Sequence, residues 1–98
     1  TQALVEGNSY IANRAAGVAF SLPALAAVGD IFQIVGKDGL WSITQGAAQS
    51  IVNGSVSSTI GATGTVTATH LGDCIEMVCI NANSVFRIFA STGTLVFA

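Results

Sequence analysis

Val18, Phe20 and Leu22 alternate with Ala19 and Ser21, the pattern of a strand with one face in a core and the other outside. Pro23 ends that run, and 24–29 (ALAAVG) reads as a loop or one short helical turn. The runs 30–36 (DIFQIVG) and 40–46 (LWSITQG) flank Lys37-Asp38-Gly39, which predicts a hairpin with Gly39 at the position that requires positive φ. Within the second run Trp41 and Ile43 share one face, and Ser42 and Thr44 share the other. Further strands are expected over 8–13, 49–55 and 63–70, with Asn53-Gly54 and 61–64 (GATG) as turns. Turn signals every 8–12 residues predict an all-β chain: a small antiparallel β-sandwich or barrel-like domain of about eight short strands. No helix longer than two turns is expected. No solenoid-period repeat or linker divides residues 1–98, so they form a single domain.

The run 73–91 (DCIEMVCINANSVFRIFAS) is the most informative. A two-residue turn at Ala82-Asn83, with Asn tolerating a left-handed backbone, sets Asn81 opposite Ser84. Cys79 then faces Phe86, Met77 faces Ile88, and Ile75 faces Ala90, giving a wholly apolar core face. The reverse face carries Glu76, Val78 and Ile80 against Val85, Arg87 and Phe89. It is mostly apolar, yet it holds one acid and one base within diagonal reach. A solvated face would be more polar, and a core face would carry no ions. A subunit interface made of Glu76, Val78, Ile80, Val85, Arg87 and Phe89 accounts for both features, because desolvated charges there must be paired. The competing reading is an exposed edge ribbon with an incidental ion pair.

Composition supports association. Of 98 residues, 51% are hydrophobic and 8% charged, against roughly 25% charged in an average soluble domain. Residues 39–69 carry no charge at all. With three Lys and Arg and a net charge of −2 there is no phosphate-binding footprint, which argues against a nucleic-acid partner. The longest apolar run, 15–29, contains Pro23 and falls short of the roughly 18 residues of a spanning helix, so no membrane insertion is expected. Thr1 opens the sequence without a signal-like segment, and the chain is read as a domain cut from a longer protein. Cys74 and Cys79, five apart, fall on opposite faces of one strand and are expected to remain unpaired thiols.

Chemistry is sparse. His70 and Asp73 with nearby serines lack a strained nucleophile elbow, so no catalytic residues are assigned, and His70 is expected to cap a turn. The same pair is too few for zinc, and Asp30, Asp38 and Asp73 lack calcium-loop spacing, so no metal or cofactor is expected. Gly61 to Gly64 lack the Lys and the strand-to-helix setting of a phosphate loop. Asn53-Gly54-Ser55 fits a glycosylation acceptor, relevant only in a eukaryotic secretory pathway. Tyr10, Trp41 and His70 are the candidates for contacting a sugar, although alternation with Ile43 points Trp41 into the core.

The segments 9–15 (SYIANRA), 20–45 (FSLPALAAVGDIFQIVGKDGLWSITQ) and 70–93 (HLGDCIEMVCINANSVFRIFASTG) resemble a β-rich module found at the C-termini of phage tail-fibre and tail-needle-like proteins. Related modules occur in bacterial collagen-like or fibrous adhesins. The shared pattern is the Leu-Pro…Gly-Asp turn, the G-x-x-G-x-W-x-I-x-Q stretch, and D-x-x-E-x-x-C-x-x-A-N with a trailing S-x-G. Sequences of this kind often carry tandem glycines before the Trp, where this chain has Gly39-Leu40. The resemblance implies a homotrimeric head on a fibre, at a virion tail or cell surface, that meets a host receptor such as a glycan. The alternative is a structural trimerisation and capping module with no ligand of its own.

Overall fold

The computed structural model describes residues 1–98 and contains strands but no helix. Eleven strands follow in chain order: β1 (Gln2–Ala3), β2 (Ser9–Ala12), β3 (Val18–Ser21), β4 (Ile31–Gly36), β5 (Trp41–Thr44), β6 (Ser50–Asn53), β7 (Val56–Ser57), β8 (Thr65–Ala68), β9 (Cys74–Asn81), β10 (Val85–Thr92) and β11 (Leu95–Phe97). They form a five-stranded sheet, β1-β3-β5-β8-β11, and a six-stranded sheet, β2-β4-β9-β10-β6-β7.

The all-β expectation holds, but the sheets are mixed and not antiparallel. From β1 to β5 the chain changes sheet at every step. β3 pairs in parallel with β1, β4 with β2, and β5 with β3, so this half is a flattened coil. The remainder supplies two hairpins, β6–β7 and β9–β10. It also supplies the antiparallel pairs β4–β9, β5–β8 and β8–β11, and a parallel pair between β6 and β10. The hairpin expected around Lys37-Asp38-Gly39 is therefore absent: β4 and β5 lie in different sheets, and 37–40 crosses between them. Gly39 does not need positive φ either. A Cβ there would lie 2.0 Å from the Arg14 carbonyl oxygen, because the 37–40 crossing stacks on the 13–17 crossing. Alternating burial fixes which face of a strand points inward, and it reads the same for a hairpin or a coil.

The core lies between the two sheets. Phe20, Trp41, Ile43, Val66 and Ala68 come from one, and Ala12, Phe32, Ile34, Ile51, Ile75, Met77, Cys79, Phe86 and Ile88 from the other. Phe32 meets Phe86 edge to face at 5.7 Å, and Tyr10 meets Phe20 at 5.5 Å. Each fully buried Ile, Phe or Met contributes about 1.5–3 kcal/mol by leaving water.

Two polar centres fasten the ends. The Gln45 amide donates to the carbonyls of Gln49 at 2.7 Å, Thr59 at 2.9 Å and Gly61 at 3.0 Å, while its oxygen accepts the Ser58 hydroxyl. Gln49 in turn donates to the carbonyls of Pro23 and Asn83. At the opposite end the buried Asp73 carboxylate accepts the N–H groups of Thr69 and His70, and its carbonyl accepts the Trp41 indole N–H at 2.9 Å.

Candidate subunit interface

The β9–β10 hairpin sorts its side chains by face much as the alternation requires. Phe86 pairs with Cys79 and Ile88 with Met77, and all four are buried. Two details differ from the expected pairing. The turn spans Ala82 to Ser84, with Asn83 at φ 62°, so Asn81 faces Val85 and not Ser84, and a register shift that skips Ile80 brings Phe86 back opposite Cys79. A bulge at Phe89 then shifts the register, and Ala90 meets Glu76 while Ser91 meets Ile75. A bulge puts two residues opposite one, which no alternation of residue types announces.

The outer face is wider than the hairpin. Strand registers align Ile31, Val78, Arg87 and Val52 in one row across β4, β9, β10 and β6. The next row is Ser9, Gln33, Glu76 and Ala90, and the third is Ile11, Val35, Cys74 and Thr92. Ile11 is 58% exposed and Phe89 52%, with Ile31 and Val35 also open to solvent. The contributions of β2 and β4 were missed by confining the face to 74–90. The available signal was 31–35, where Ile31 and Val35 are as apolar as the inward Phe32 and Ile34. A strand that is apolar on both faces is normally covered on both.

The polar row is ordered. Gln33 Nε2 donates to Glu76 Oε2 at 2.9 Å, and the Ser9 hydroxyl bonds Gln33 Oε1. Glu76 and Arg87 are not joined within the chain. The one ion pair is Lys37–Asp38, on the surface. The outer face of the other sheet has a different chemistry. There Ala19, Ser42, Thr67 and Val96 form one row, with Ser21, Thr44 and Thr65 in the next, and none of these is charged.

The three residues considered for a sugar are not assembled into one site. Trp41 is 2% exposed, with its indole N–H committed to Asp73. The Tyr10 ring packs on Phe20, and its hydroxyl accepts the Val5 N–H. His70 is exposed on the 69–72 turn, its Nδ1 2.9 Å from the Thr69 hydroxyl, while Asp73 turns its carboxylate to backbone N–H groups. Cys74 is half-buried on the outer face and Cys79 fully buried on the inner one, as the spacing requires. Burial pushes the Cys79 thiol above its ordinary value; Asp30 adds to the rise, and the backbone of Asn83 and Asn81 partly opposes it.

Compared with known proteins, the chain matches no protein-family model and no curated sequence.

Proposed function

We propose that this chain is a non-catalytic fibre-tip domain that assembles as a homotrimer through the outer face of its six-stranded sheet. Its place would be a virion tail or a cell surface, where it meets a host receptor. One observation carries the reading: an apolar face four strands wide that holds an acid and a base with no mutual contact. Leaving Ile11, Ile31, Val35, Val78 and Phe89 in water forfeits about 25 cal/mol for each Å² of apolar surface. A second copy with the same face recovers that area and brings the opposite charge. Sedimentation equilibrium tests the assembly, which is expected to give about three times the chain mass of 9.9 kDa at micromolar concentration. A 9.9 kDa species there would end the reading.

The alternative, a structural trimerisation cap without a ligand, is favoured by the core positions of Trp41 and Tyr10. Trp41 is fully buried and Tyr10 is half-buried against Phe20, so neither presents its ring as a platform for a sugar. A receptor contact then falls to exposed loops, where Leu25 is 82% open to solvent. Glycan-array binding separates the two, since a cap gives no specific signal.

A further inference from the structure

Between β4, β9 and β10 the outer face dips into a depression of about 180 Å³, bordered by Gln33, Val35, Cys74, Glu76, Ala90 and Thr92. One carboxylate dominates it. Glu76 is held by Gln33, which is held by Ser9, so the carboxylate is oriented before any partner arrives. Its second oxygen has no hydrogen-bond partner in the chain, and no cation lies within 4 Å of it. Such a site suits a planar cation, with apolar walls at Val35 and Ala90 for an aliphatic stem and a fixed acceptor at the end.

The same face supplies such a cation. Arg87 is exposed, lies in the row next to Glu76, and makes neither a hydrogen bond nor an ion pair in its own chain. The other two bases, Arg14 and Lys37, sit on the crossings at one end of the domain. We propose that the depression beside Glu76 is a socket for the Arg87 guanidinium of a second copy. This rests on the association through this face proposed above. Each subunit then gives one arginine and one socket, a heterologous contact that closes into a ring of identical interfaces. Along β10 the bulge at Phe89 falls between Arg87 and Ala90, which borders the depression.

Charge reversal with tagged chains tests the pairing. Glu76→Arg and Arg87→Glu are prepared singly and as the double variant, with circular dichroism and thermal melts to confirm the fold of each. Each single variant is expected to self-associate at least 100-fold more weakly than the parent chain, and the double variant to recover. A tagged Glu76→Arg chain is expected to capture an untagged Arg87→Glu chain but not an untagged copy of itself. Recovery in the double variant without capture between the singles would place the pair inside one chain and overturn the proposal. Singles that assemble like a trimeric parent would overturn the socket and leave trimerisation standing only through contacts that do not bury these two charges. A monomeric parent chain would remove both.

Discussion

At Gly93 the chain has no room for a methyl group. A Cβ there would lie 1.9 Å from Asp73 Oδ1, and the backbone is at φ 94°. Asp73 cannot yield readily, because its other oxygen holds the 69–73 turn through two backbone N–H groups. Gly93→Ala is therefore expected to cost about 2–4 kcal/mol, through backbone strain and a steric clash together. Gly54→Ala, also at positive φ but with nothing within 4 Å, should cost no more than about 1–2 kcal/mol. Chemical denaturation of the two variants checks the ranking. Cys79 gives a residue-scale pH effect. Its folded-state pKa is raised, so the unfolded chain holds fewer protons once the pH exceeds about 8.5, and stability falls as pH rises beyond that value. Cys79→Ala should flatten that alkaline decline, whatever it costs at neutral pH. A decline of the same slope in both proteins would show that another group causes it. The buried thiol should also resist alkylation until the chain unfolds.

Among the elements, the β9–β10 hairpin was the most legible in the sequence and β4–β5 the least. Strict alternation over 75–79 and 86–88 identifies the inward residues, and no rearrangement of neighbours alters that parity. Which strand lies beside which depends on where a crossing carries the chain. Lys37-Asp38-Gly39 has the composition of a hairpin turn, but Gly39 is demanded by the Arg14 backbone one crossing away. That constraint is tertiary and leaves no mark in a local window. The Gln45 and Gln49 fastenings were equally silent, since an isolated Gln reads as a surface residue until its carbonyl partners are placed. Glu76 and Arg87 were recognised as anomalous on their face, whereas the Gln33–Ser9 support was not. For these two charges the outcome depends on what covers the sheet. Arg87→Met alone should impair assembly far more than Glu76→Leu with Arg87→Met, since an unpaired charge left in an interface costs about 3–5 kcal/mol. Thermal melts and sedimentation on both single variants and the double variant provide the check, and near-parental trimer content in both singles would favour an exposed ribbon.

For the whole molecule, the two outer sheet faces differ in chemistry. One is uncharged and lined with serine and threonine, and the other is apolar around a single acid and a single base. The coil from β1 to β5 also bears on how the domain reaches its native state. None of those five strands pairs with its neighbour in sequence, so no pair within that half can close before a full turn of chain has been laid down. Loop-closure entropy must be lost before any of those ladders gains a hydrogen bond, which makes this half intrinsically slow to form. The β9–β10 hairpin carries no such debt, since its eight-residue strands are joined by a three-residue turn. Pulse-labelling hydrogen exchange during refolding should therefore protect the amides of Val78 and Arg87, which face each other across the hairpin, before those of β2 and β3. On that order the nascent domain first displays an unsupported ribbon whose two faces are both apolar. During the interval before the coil closes over its inner face, chains at high concentration would exchange or aggregate through that ribbon.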